Sequence, residues 1–165
     1  MKLSEVNQMT QDAFVDAFGA VFEESPAIAQ QAWNQRPFAN LDALHQSMVE
    51  LVRGMSVEQQ LALIRAHPDL GSRVKMAEAS VQEQAGAGLD GLSGAEYERF
   101  QALNQAYRER FGFPFIVAVR NHTKQSILEC FVRRLENEAA VERGGAIAEI
   151  EKIARFRLMD WVGEG

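Results

Sequence analysis

Phe113-Pro114-Phe115-Ile116-Val117-Ala118-Val119-Arg120 is the one stretch of this 165-residue chain with no helical period. It is short, apolar and bounded by proline and Asn121, so taken alone it reads as a buried strand. No second strand exists to pair with it, because the flanking segments read as helices. The stretch is therefore expected to thread a helical core in extended form. Its backbone N–H and C=O groups then need partners other than a sheet, and a bound polar ligand could supply some of them. The fold class that follows is all-α: a single-domain, irregular bundle of about eight helices covering residues 1–165.

The helices on either side are set by caps and stripes. Thr10 is placed to cap a helix whose apolar face is Phe14, Ala17, Phe18, Val21 and Phe22. Ser25-Pro26 restarts the chain with a cap and a proline at the first helical position, and that helix carries Trp33 and ends before Arg36-Pro37. Asn40 opens a third, with Leu41, Leu44, Met48, Leu51 and Val52 inward, His45 beside the stripe and Gly54 as its stop. Ser56-Val57-Glu58-Gln59 is a capping box for a fourth, with Leu61 and Ile64 facing in. Ser72 to Ala79 also reads as helix. Ser93-Gly94-Ala95-Glu96 caps a helix with Tyr97, Phe100, Leu103 and Tyr107 on one face, and Gly112 stops it. Asn121 or Thr123 caps the next, with Ile127, Phe131 and Leu135 inward. Gly144-Gly145 marks a break or a weak point, and a last helix carries Ile147, Ile150, Ala154, Leu158 and Trp161.

Composition narrows the function. The net charge of −6 argues against a nucleic-acid binder or a membrane-surface protein, both of which need a basic face. The single cysteine, Cys130, excludes an internal disulfide, fits a reducing compartment and reads as a small buried hydrophobe. The N-terminus lacks a basic-then-apolar signal pattern, no apolar run is long enough to span a bilayer, and Gly163-Glu164-Gly165 is not a peroxisomal address. A cytoplasmic protein is expected.

The chemistry centres on Arg65-Ala66-His67-Pro68-Asp69-Leu70-Gly71, which ends the fourth helix. Pro68 biases His67 away from the α region, so the imidazole should sit at or just past a helix end. Its ordinary pKa of about 6.5 lets it take and give a proton near neutral pH. A metal site is not expected, since His45, His67 and His122 stand at no ligand spacing. No phosphate loop, nucleophile elbow, nicotinamide or flavin pattern is present, so an enzyme here works without a cofactor, by acid–base chemistry. Glu83 could orient His67 or polarise a substrate N–H. Ser80 and Gln84 offer neutral hydrogen bonds, although Ser80 and Glu83 also fit a capping box. The Phe115–Val119 backbone offers an amide ladder to a planar, amide-rich ligand. Arg157, or alternatively Arg120, has the fork to hold a carboxylate. The set suits a small, polar, planar heterocycle. A rival reading is a co-chaperone, because His67-Pro68-Asp69 resembles the J-domain tripeptide. The preceding helix, however, mixes Arg65 with Glu58, and Leu70-Gly71 replaces the expected Lys-Asn. A third reading, a non-catalytic interaction bundle, leaves the extended segment and the His-Pro break unexplained.

Taken together, His67-Pro68-Asp69-Leu70-Gly71, Ser80-x-x-Glu83-Gln84, Gly86-x-Gly88-Leu89, Phe111 through Arg120, and Glu149-Ile150-x-Lys152-Ile153-Ala154-Arg155-x-Arg157-Leu158 resemble the OHCU decarboxylases of purine catabolism. Their substrate is 2-oxo-4-hydroxy-4-carboxy-5-ureidoimidazoline. The resemblance runs in order along nearly the whole chain, more loosely from Phe14 to Trp33. It implies an all-α fold, a homodimer, no cofactor and a small-molecule substrate. It also implies His67 as catalytic acid/base with Glu83 as its helper. Pro68, Ser80, Gln84, Phe115, Ile116, Val117, Ala118 and Val119 are then substrate-lining residues, with Arg157 a further site residue.

Overall fold

The computed structural model of the chain describes residues 1–71 and 78–163. Among them, nine α-helices and two 3-10 turns form the regular structure, and the one β feature is an isolated bridge between Lys2 and Gly163. The fold is all-α, as expected. No helix among the described residues is long and apolar enough to cross a membrane. The chain packs as two compact units, Met1–Leu63 with Glu151–Gly165, and Ile64–Ile150.

The first unit holds α1 (Leu3–Gln8), α2 (Gln11–Phe18), α3 (Pro26–Ala32), α4 (Leu41–Arg53) and most of α5 (Val57–Arg65). Its caps are those the sequence predicts except at Ser25, which precedes Pro26 but makes no side-chain cap bond, its hydroxyl donating to the Glu23 carbonyl at 2.9 Å instead. Thr10 accepts the Ala13 N–H at 3.2 Å and Asn40 accepts the Ala43 N–H at 2.8 Å. Ser56 and Gln59 exchange both bonds of their capping box, at 3.1 and 3.0 Å. Leu44, Met48 and Val52 of α4 are buried, together with Val49. Three further expectations change. A short helix, α1, precedes Thr10; it is fixed by Asn7, which pairs with both backbone groups of Phe38 at 2.7 and 3.0 Å. Helix α2 stops at Phe18, so Val21 and Phe22 are buried from the turn that follows rather than from its stripe. Trp33 leaves α3 for a 3-10 turn, Trp33–Gln35, where its indole N–H donates to the Met9 carbonyl at 2.9 Å.

The second unit contains α6 (Glu78–Gly86), α7 (Gly94–Phe111), a 3-10 turn Val119–Asn121 and α8 (Lys124–Arg134). Ser93 and Glu96 cap α7 reciprocally, at 3.2 and 2.9 Å, and Gly112 ends it in the left-handed conformation with φ 77°. Thr123, not Asn121, caps α8, accepting the Ser126 N–H at 3.2 Å. Cys130 is buried, as read from the sequence. The expected helix from Ser72 to Ala79 falls mostly outside the described residues; Glu78 and Ala79 belong to α6. Helix α9 (Ala139–Trp161) runs through Gly144-Gly145 without interruption, so of the two readings of the glycine pair the break is ruled out. The buried residues Ala146, Ile147, Ile150, Ala154 and Leu158 hold it through side-chain packing, which outweighs the poor helix propensity of two glycines.

Residues 113–118 form neither helix nor strand, and Phe113 through Val119 are all buried. The extended segment therefore threads a helical core, as its composition requires.

Candidate active site

His67 lies two residues past the last residue of α5, and it is 6% exposed. Its own N–H reaches the Ile64 carbonyl at 3.2 Å, the last backbone bond before Pro68 ends the ladder. The turn that carries it is tied at four points within the second unit. Arg65 Nε donates to the Gly112 carbonyl at 3.2 Å, and Arg108 Nε donates to Asp69 Oδ1 at 2.8 Å. Asn104 Nδ2 donates to the Leu70 carbonyl at 2.9 Å, and the Gly71 N–H donates to Gln84 Oε1 at 2.9 Å. Gly71 sits at φ +69°, and a Cβ there would come within 2.7 Å of Leu92, so the turn requires glycine.

Ser80, Glu83 and Gln84 share one face of α6 by their i, i+3, i+4 spacing. Ser80 and Gln84 are buried and Glu83 is half-buried, whereas Val81 and Gln82 are exposed. The capping reading of Ser80 and Glu83 is corrected here: Ser80 stands at the third residue of α6, inside the helix, so the Ser-x-x-Glu spacing is that of a helix face. Helix α6 packs against the Val119–Asn121 turn. The second unit thus brings together three of the elements picked out by sequence: the His67 turn, the Ser80–Gln84 face and the end of the Phe115–Val119 segment. Pro68 is half-buried in the same turn, and Phe115, Ile116, Val117, Ala118 and Val119 are buried.

Arg157 belongs to the first unit. Its Nη2 donates to Glu23 Oε1 at 2.8 Å, and its Nη1 donates to the carbonyls of Ala20 and Val21 at 3.1 and 3.3 Å. Both partners of the ion pair are buried. The carboxylate this fork holds is that of Glu23.

Sequence reasoning missed a buried polar cluster beside the extended segment. Tyr107 donates to Glu142 at 2.6 Å and Arg134 donates to the same oxygen at 2.8 Å. Burial pushes the Tyr107 phenol far up from its ordinary value, and the hydrogen bond to Glu142 adds to this, so the hydroxyl stays a donor. Burial opposes the charge of Arg134, but Tyr107 and Glu142 outweigh it and raise the guanidinium. The only sequence signal was weak: Asn104 and Tyr107 are polar atoms on an otherwise apolar face of α7. Asn104 is buried, with its Oδ1 unpartnered among the described residues.

The chain as a whole is similar to proteins of one family. The model of the family described as OHCU decarboxylase matches residues 7–159. A 2-oxo-4-hydroxy-4-carboxy-5-ureidoimidazoline decarboxylase of Haloferax volcanii is 46% identical over 160 residues, covering 97% of this chain and 95% of that one. The uric acid degradation bifunctional protein PucL of Bacillus subtilis is 44% identical over 162 residues, which are 98% of this chain and 33% of that one. Among solved structures, an (S)-allantoin synthase superposes with a TM-score of 0.81 at 28% identity, over 98% of this chain and 54% of that chain, so this chain spans about half of it. The class is an all-α carboxy-lyase. The chain belongs to the OHCU decarboxylase family. The J-domain likeness is a coincidence of three residues.

Proposed function

We propose that this chain decarboxylates 2-oxo-4-hydroxy-4-carboxy-5-ureidoimidazoline to (S)-allantoin, the third step of urate degradation, as a single cytoplasmic domain that acts as a homodimer. The observation that carries the reading is His67, buried past a helix end, with its turn tied through Gln84 to the helix face that bears Glu83.

The substrate explains how its residues work without a cofactor. Its carboxylate sits on a carbon next to a ring C=N. As the C–C bond breaks, carbon dioxide leaves and the bonding pair moves into that imine, the role an external electron sink plays in other decarboxylases. The imine nitrogen takes up a proton, and a neutral enol-type intermediate remains. Its hydroxyl proton is lost as the ring carbonyl forms, and a proton is delivered to the neighbouring carbon. Delivery from one face gives the S product. His67 handles one of these two protons, and Glu83 holds the ureido or ring N–H groups. Pro68, Ser80, Gln84 and the Phe115–Val119 backbone seat the planar ring.

The reaction also proceeds unaided, so the enzyme contributes speed and a single enantiomer. The test is a coupled assay in which the two upstream enzymes make the substrate from urate. Its decay is followed by absorbance and the allantoin formed by circular dichroism. The parent enzyme is expected to give S product rapidly, and His67→Ala racemic product at the background rate. Fully S product at the parent rate from His67→Ala would remove the histidine from the mechanism.

A further inference from the structure

Arg134, on α8, is none of the residues the sequence singles out, yet its contacts converge on the extended segment. Nη1 donates to the Ile116 carbonyl at 2.7 Å. The guanidinium carbon lies 4.4 Å from the centre of the Phe115 ring, which stacks on Phe131 at 3.8 Å. Nε donates to Glu142, which is itself fixed by the Tyr107 hydroxyl and by Asn137 Nδ2 at 2.9 Å.

A helix or a sheet strand has its position set by a hydrogen-bond ladder. An extended segment inside a helical core has none, and a slip of one residue would turn its side chains over. Arg134 meets the segment at a carbonyl and at a ring face, which fixes both its position along the chain and its rotation. Net stability is a poor account of this arrangement. A buried ion pair gains little over apolar residues of the same volume, and Arg134 Nη2 is buried with no partner among the described residues.

We propose that Arg134, braced by Glu142 and Tyr107, is a positioning residue of the decarboxylase: it sets the orientation in which the Phe115–Val119 backbone meets the substrate ring. The inference rests on the reading that this segment lines the substrate. A lysine at this position keeps the charge but lacks the planar fork that holds Glu142 and the Ile116 carbonyl together. Tyr107→Phe keeps the ring and removes one donor to Glu142.

The experiment is steady-state kinetics of Arg134→Lys and Tyr107→Phe with substrate generated from urate, alongside thermal unfolding. Arg134→Lys is expected to raise KM about tenfold with kcat within about threefold, and Tyr107→Phe to raise KM less, the pattern of a lost binding geometry. A purely structural role would lower the melting temperature and the fraction of active enzyme at the parent KM, and that outcome overturns the proposal. If Arg134→Lys does not fold, an unchanged KM in Tyr107→Phe overturns it equally. A parent enzyme that does not accelerate decarboxylation overturns the functional reading itself, a result distinct from an active parent whose variants keep its KM.

Discussion

The Gly71 N–H donates to Gln84 Oε1 at 2.9 Å, joining the turn that follows His67 to the face of α6 that carries Ser80 and Glu83. Gln84→Leu leaves that buried N–H without an acceptor, a loss of about 1–3 kcal/mol. It also frees the His67 turn, so kcat should fall about 10- to 100-fold, as expected when a reacting group is misplaced by about an ångström. Gln84→Glu keeps an acceptor and should recover most of the stability. Thermal unfolding and turnover of the two variants check this, and Gln84→Leu with parental kcat would refute it.

The Glu23–Arg157 pair makes the second prediction. Both side chains are buried, and the guanidinium also meets two backbone carbonyls. Glu23→Ala strands a buried cation, which costs about 3–5 kcal/mol. For a chain of this size that corresponds to about 6–20 °C in melting temperature. A decrease of only a degree or two would mean that the carbonyls of Ala20 and Val21 suffice to hold the charge.

Gly144 is exposed in the interior of α9, and a Cβ added there meets nothing within 4 Å. Gly144→Ala should therefore stabilise the protein by about 0.5–1 kcal/mol by removing backbone freedom from the unfolded chain. Activity should not change. Chemical denaturation measures the gain, and a loss of stability would mean that the helix needs a bend the glycine permits.

The fourth prediction concerns pH. The Ser93 backbone N–H, and after it Lys124, hold the Glu96 carboxyl below its ordinary value of 4.5. A depressed folded-state value means that the contribution to stability is present above pH 4.5 and is lost as pH falls through the folded value. The melting-temperature gap between the parent and Glu96→Gln should therefore be widest near neutral pH and close on acidification. A gap that stays constant from about pH 7 to about pH 3 would contradict this assignment.

Much of the fold was legible because its signals are local. Thr10, Asn40, Ser56, Ser93 and Thr123 each bond an N–H within the first turn of their own helix, so a few consecutive residues suffice to reveal the cap. The glycine pair in α9 and the Ser-x-x-Glu of α6 misled for the same reason. Local propensity there is overruled by packing from residues far away in sequence. Within the site, His67 was legible because a His-Pro break is a property of adjacent residues.

By itself, the sequence determined that the chain is all-α, that one apolar segment must run extended through it, and that an imidazole stands at a helix end beside a proline. These follow from periodicity, capping and the geometry of the proline ring, which act within one or two turns. Only the tertiary structure decided which groups hold that imidazole's turn and that segment: Asn104, Gln84 and Arg108 for the one, and Arg134 with Glu142 and Tyr107 for the other. The reason is that a buried polar atom takes whichever partner the packed helices bring within about 3 Å, and no spacing along the chain encodes that meeting.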